Sequence, residues 1–249
     1  MTRQRMVALC DILGFKRLIE SRPLDKLLAH DLALFRRLTG YSVKQGLFPT
    51  DVPRLDELRA QERVGVAWFS DTLLLYARDD DELSRRNVLE TVGWLLFMTT
   101  KTKTPLRIGI DHGEFHASPE DEVFVGRALV GAYELERSQE WIGGALTANA
   151  AAQVPPRTTT GARSQWWVCE YSVPMKNGKT FDTLAIDWTQ TIHTSFELRW
   201  SKERANPTEE ERLREGSAWA KWENARSFHD SICVQCFPTN RERDRLKIF

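Results

Sequence analysis

The chain has 249 residues, 41% of them hydrophobic, enough to bury the core of one large domain. Its 35 basic residues balance 35 acidic ones, so no global field draws it to nucleic acid or to an anionic membrane surface. No run approaches the roughly 20 apolar residues that span a bilayer, and four cysteines are too few for a disulfide scaffold, so a cytoplasmic protein is expected, with no membrane and no nucleic acid among its partners.

The first apolar run is cut short by Asp11, which makes a poor signal peptide. Residues 6–11, Met-Val-Ala-Leu-Cys-Asp, read as a buried strand ending on an acid. After Gly14 an amphipathic stretch from Phe15 to Leu38 predicts helix, broken in two at Pro23 because proline lacks an N–H and crowds the preceding turn. Residues 41–62 mix glycine, proline and charge and predict an irregular connection with a short helix near 54–61. Residues 64–77 then give two apolar runs around Ser70-Asp71, a hairpin with a tight turn between buried strands. The acidic run Asp79 to Glu82 reads as a solvated turn and helix start. A helix over 83–99 follows, with Val88, Val92, Leu95, Leu96 and Thr99 at helical spacing.

Leu106 to Asp111 predicts a strand with a continuation at 114–117, and Gly113 suggests a strand turn between His112 and His116 rather than a helical metal pair. Residues 123–126 read as extended, 127–140 as helix, and 144–148, 165–173 and 181–188 as strands. Thr208 resembles the N-cap of a charged helix running to about Cys233, with acids in its first turn. Cys233 and Cys236 lack the second pair that would complete a zinc site. Trp94, Trp166, Trp167, Trp188, Trp200, Trp219 and Trp222 are expected to pack, some of them at an interface. Strands alternating with helices around a hairpin predict an α/β (α+β) sandwich on a mixed sheet. Residues 1–190 are expected as the main domain and 191–249 as a C-terminal helical extension packed on it.

Two acids stand where burial makes them costly. Asp11 ends an apolar strand and Asp71 occupies a turn between two more. Taken singly, Asp11 caps a helix and Asp71 is a turn residue. If their strands are adjacent, the carboxylates meet, repel and lose solvation, a conflict that a divalent cation resolves. Beside Asp11, Gly14 opens a helix whose N–H groups suit an anion, so metal and helix start can share one phosphate chain.

These residues resemble the class III adenylate and guanylate cyclase family. Its Asp-Ile-x-Gly-Phe motif is matched by Asp11-Ile12-Leu13-Gly14-Phe15, and its second metal acid by Ser70-Asp71. Its Arg-x-Gly-Ile-x-x-Gly-Glu strand pair is matched by Arg107 to Glu114, and its helix-opening glycine by Gly126. The resemblance covers roughly residues 6–140. It implies a ferredoxin-like catalytic domain with a mixed, mostly antiparallel sheet. It also implies two divalent ions, manganese or magnesium, held by Asp11, Asp71 and the carbonyl of Ile12. The implied reaction is attack of a ribose 3′-hydroxyl on the α-phosphorus with loss of pyrophosphate, in a homodimer with active sites at the interface. The nucleotide is then expected against Leu13, Gly14, Phe15, Ser70 and Ala67.

The departures narrow the resemblance. Ala67 stands where purine cyclases carry a base-selecting Lys or Glu, and Val130 and Glu134 stand where the transition-state Asn and Arg belong. Arg107, Arg127 and Lys176 are the candidates to supply the missing positive charge, although a solvated Arg127 and a turn Lys176 are the plainer readings. These departures, with the Phe69-Ser70-Asp71-Thr72 turn, Gly126-Arg-Ala-Leu-Val130, Ala132-Tyr-Glu-Leu-Glu136 and the C-terminal Trp222-Glu-Asn-Ala225, make the chain resemble the bacterial pyrimidine cyclases of Pycsar anti-phage systems. That similarity implies UTP as substrate, or else CTP, and a cyclic-nucleotide-activated effector as partner. A catalytically degenerate nucleotide-binding or dimerisation module is the competing expectation. A diguanylate cyclase is disfavoured because no Gly-Gly-Asp/Glu-Glu/Asp-Phe turn is present. An RNA-binding module lacks its basic, aromatic sheet face.

Overall fold

Met6 to Cys10 are buried on both sides, which places β1 (Arg3–Ile12) at the centre of a sheet. The computed structural model describes residues 3–46, 63–101, 104–155, 166–191 and 217–236. One flank of β1 carries β3 (Thr72–Ala77) and then β2 (Val64–Phe69). The other carries β4 (Leu106–Ser118), β6 (Gly143–Leu146), β8 (Thr180–Ile186) and β7 (Val168–Pro174) in that order. A short β5 (Val123–Val125) pairs with the far end of β4. Every described pairing is antiparallel except β4 with β6, so the sheet is mixed and mostly antiparallel, as expected.

Alternation along β1 divides the core. Met6, Ala8 and Cys10 face a large cluster with Leu73, Leu75, Ile108 and Ile110. That face is covered by α4 (Glu82–Lys101), whose Val88, Leu89, Val92, Leu95 and Leu96 are fully buried, each contributing about 2 kcal/mol of apolar transfer. Val7 and Leu9 face the other way, toward Ala128 and Ala132 of α5 (Arg127–Ser138), the crossover that makes β4 and β6 parallel. Gly109 sets how close α5 lies, since a Cβ there would meet the Ala132 carbonyl oxygen at 2.0 Å.

Pro23 breaks the first helical stretch as its chemistry predicts, ending α1 (Phe15–Ser21) and serving as N-cap of α2 (Leu24–Lys26). A π-helical turn (Leu27–Leu32) leads into α3 (Ala33–Gly46), so residues 41–46 are helical rather than irregular. The expected helix at 54–61 lies outside the described residues. β2 is the sheet edge, with Val66 and Phe69 exposed, so only β3 of the hairpin is fully buried. β4 runs unbroken through His112 and Gly113, in place of the expected turn. The strand expected at 144–148 stops at Leu146, because Thr147 caps α6 (Ala148–Ala151) by accepting the Ala150 N–H.

Asp81 starts α4 by accepting from the Ser84 backbone N–H at 3.0 Å and its hydroxyl at 2.7 Å. The tail forms α7 (Ser217–Cys236); its expected N-cap at Thr208 lies outside the described residues, as do Trp200 and the side chains of Trp219, Cys233 and Cys236. Trp94 packs edge-on to Phe97 and against Trp167, and Trp188 lies against Phe228.

Burial raises the half-buried Glu90 carboxyl of α4 from 4.5 to about 7, with Arg86 opposing. As pH climbs through that window, the folded chain must ionise a group that the unfolded chain ionises freely, so stability falls. Glu90→Gln is expected to remove the fall. Melting temperatures of the two proteins should converge near pH 4.5 and separate toward about pH 8 with the variant higher. Parallel melting curves across that range would show that Glu90 does not carry the dependence.

Candidate active site

Asp11 lies on β1 opposite Thr72 of β3 on one side and Arg107 of β4 on the other. The next residue, Ile12, donates its N–H to the Asp71 carbonyl at 3.2 Å, tying the end of β1 to the β2–β3 turn. Ser70 makes that turn with φ 56, and Asp71 then heads β3. The two acids therefore stand at one end of adjacent strands. Burial pushes the Asp11 carboxyl upward; Arg107 opposes this, Asp71 adds to it, and Lys176 and Lys221 oppose it further.

Arg107 is the organising cation, with its side chain only 8% exposed. Its Nη2 donates to Asp11 Oδ2 at 3.2 Å, its Nη1 to the Gln139 carbonyl at 3.4 Å, and its Nε to Glu136 Oε1. Glu136 is itself 4% exposed; burial raises its carboxyl and Arg107 opposes the rise. Lys176 follows β7, with its N–H on the Ser138 carbonyl at 2.8 Å. Desolvation lowers its ammonium, as do Arg107 and Lys221, while Glu140 and Glu136 resist. The structure thus brings Asp11, Asp71, Arg107 and Lys176 to one place.

Gly14 adopts φ 80 as N-cap of α1, a conformation that favours glycine, and the space above it is open. Leu13 donates its N–H to the Pro105 carbonyl at 2.9 Å. The Phe15 ring is buried in the core, so its backbone alone remains to meet a ligand. Ala67 lies on the edge strand, packed beside the cluster that faces α5.

Arg127 is placed elsewhere. Its side chain is 90% exposed and pairs with Glu114 at 3.5 Å. Glu114 lies opposite Gln4, seven residues along β4 from Arg107, which at about 3.3 Å per residue is roughly 23 Å away. The first turn of α5 points to the far end of the sheet, so Arg127 does not reach the acids of its own chain. Val130 and Glu134 lie on the exposed side of the same helix.

Three residues at the site were not anticipated: Glu136, Glu140 and Lys221. Lys221 pairs with Glu140 at 3.3 Å. A signal existed for two of them. Glu136 continues the buried stripe Ala128, Ala132, Leu135 of α5, and Lys221 the stripe Ala225, Phe228, Ile232 of α7. A charge on an apolar stripe requires a buried counter-ion.

The donor set suits a hard cation. Among the described residues no group of three or more His, Cys, Asp or Glu gathers as a metal cage. Two carboxylates and the Ile12 carbonyl are oxygen donors of the kind magnesium takes when substrate phosphates and water complete its shell.

No protein-family model and no curated protein matches the sequence. Solved structures match in fold. The catalytic core of a rhodopsin-guanylyl cyclase with converted specificity, in complex with ATPαS, aligns with a TM-score of 0.54 and 12% identity, covering 74% of this chain and 95% of that one. An adenylate/guanylate cyclase/hydrolase from Silicibacter pomeroyi aligns at 0.47 and 14% identity over 75% and 97% of the two chains. The adenylyl cyclase CyaB from P. aeruginosa aligns at 0.44 and 12% over 75% and 94%. The chain has the fold of class III cyclase catalytic domains. No described helix is long and apolar enough to cross a membrane.

Proposed function

We propose that the chain is a nucleotidyl cyclase that converts UTP to 3′,5′-cyclic UMP and pyrophosphate. The observation that carries this reading is the meeting of Asp11 and Asp71 at adjacent strand ends, with Arg107 and Lys176 beside them. Residues 1–190 are taken as the catalytic domain and 191–249 as its extension.

Asp11, Asp71 and the Ile12 carbonyl would hold two magnesium or manganese ions, which supply charge to activate a hydroxyl and to stabilise a leaving pyrophosphate. The chain's own part is positioning. Arg107, held by Glu136 and the Gln139 carbonyl, has its Nη2 on Asp11, from which it would pass to phosphate oxygens when a cation takes that carboxylate, and Lys176 adds a second cation. The open space above Gly14 leaves room for a phosphate over Leu13, Gly14, Phe15 and Ser70. At Ala67 no polar group is present to select a purine, which favours a pyrimidine.

A homodimer fits the exposed apolar residues on the α5 side: Phe69, Val125, Val130 and Tyr133. In such a dimer Arg127, remote from the acids of its own chain, is available to the second copy's site. The resemblance of its motifs to those of anti-phage pyrimidine cyclases supports reading the product as a second messenger that acts through an effector binding it. Val130 and Glu134, where the transition-state pair belongs, support the alternative of a degenerate nucleotide-binding module.

The test is incubation of purified protein with ATP, GTP, UTP and CTP, separately, with manganese, and identification of products by mass against cyclic standards. Cyclic UMP is expected. Cyclic CMP would move the base preference, and turnover of ATP or GTP alone would sink the anti-phage assignment. No product from any nucleotide, from a dimer that still binds one, would favour the degenerate module.

A further inference from the structure

We propose that α7 completes the phosphate side of the site, with Lys221 binding the terminal phosphate oxygens of the substrate and of the leaving pyrophosphate beside Arg107 and Lys176. This rests on the triphosphate reading of that site.

The helix is seated firmly. Phe228 packs against Tyr171 at 4.8 Å between ring centroids, Trp141 at 5.2 Å and Trp188 at 6.0 Å. Asn224 Nδ2 donates to the Glu140 carbonyl at 2.6 Å, one helical turn from Lys221. Together they fix where the Lys221 stem emerges. Its side chain is 14% exposed and its ammonium lies 3.3 Å from Glu140 Oε1.

Glu140 adjoins Gln139, whose carbonyl takes the guanidinium that also holds Asp11. Asp11, Arg107, residues 139–140 and Lys221 therefore form one connected line across the end of the sheet. Two cations lie along it, and Lys176 adjoins it through its N–H on the Ser138 carbonyl. Desolvation and Arg107 lower the Lys176 ammonium, Glu140 and Glu136 oppose this, and Lys221 adds to the lowering. Arg107 is committed to Glu136 and Asp11. Arg107 and Lys221 on this line already face carboxylates, so a triphosphate would engage them by exchange, offering oxygens of higher charge than a carboxylate. A single exchange gives Lys221 its role: the ammonium leaves the Glu140 carboxylate, with little motion of the anchored helix, for a more highly charged phosphate oxygen.

Binding of inorganic pyrophosphate with magnesium to the full chain, by calorimetry, tests this without turnover. Lys221→Gln should weaken binding about tenfold, as for one charge-assisted hydrogen bond, in a chain that still folds and melts cooperatively. Lys221→Arg should restore it. Glu140→Gln, which frees the ammonium, should bind at least as tightly as wild type. Weakening by Glu140→Gln equal to that by Lys221→Gln would assign the pair to anchoring α7 and overturn the direct contact. Binding lost in Lys176→Gln but unchanged in Lys221→Gln would refute the role of Lys221 and leave the site reading intact. A wild-type chain that binds no pyrophosphate would overturn both.

Discussion

Asp11→Asn is expected to lower turnover by about a thousandfold or more while leaving the melting temperature of the chain unchanged or raised. The two effects separate because the carboxylate is badly placed for stability. Burial and the neighbouring Asp71 both raise its pKa, so the folded chain holds the ionised form less readily than the unfolded chain does. Asparagine removes that charge and keeps an oxygen for Arg107 Nη2, so the fold loses little. What disappears is the anionic ligand for a cation. Asp71→Asn should behave alike in turnover, with Ser70 still making the turn. Rates at saturating manganese and UTP, taken with melting curves, give the comparison. Either variant retaining a tenth of wild-type activity would end the case for a two-carboxylate site.

How much of this was legible in the sequence follows from the range of each interaction. The run Met6 to Cys10 announces a strand buried on both faces, and the hairpin around Ser70-Asp71 is local, so both were readable. The Arg107-Ile-Gly-Ile pattern was readable too; the structure supplies the reason for its glycine, which lets α5 approach. Ranking β2 as a buried strand failed because edge position is a property of the sheet, not of Val64 to Phe69. Ala148 and its neighbours suit either helix or strand, and the Thr147 cap decides. Arg127 was associated with the site through its place after Gly126, but a helix N-terminus and the acids can lie at opposite ends of one strand. Glu136 and Lys221 went unnoticed because their partners are 29 and 81 residues away, Arg107 and Glu140 respectively. Periodicity shows that such a charge is buried; only the fold shows against what.

Glu136→Ala is expected to cost about 3 kcal/mol of stability, the lower end of the range for breaking a buried ion pair from one side. Arg107 cannot be neutralised in its place, because a guanidinium keeps its proton. Its Nε would lose its only described carboxylate, leaving Asp11 and the Gln139 carbonyl to hold the group. The guanidinium would then lean toward Asp11 and compete with a cation for that carboxylate. Two readouts follow from this geometry. Thermal melting reports the loss of the pair, which Glu136→Gln should soften, since an amide oxygen can still accept from Nε. Manganese titration of the nucleotide-free chain reports the competition and should show weaker binding in Glu136→Ala, although Glu136 donates nothing to the cation itself. A merely structural glutamate would move the first readout and not the second. Unchanged manganese affinity in a folded variant would therefore limit Glu136 to packing, whereas a joint change would make it the residue that shares Arg107 with Asp11 and so limits how strongly the guanidinium competes for that acid.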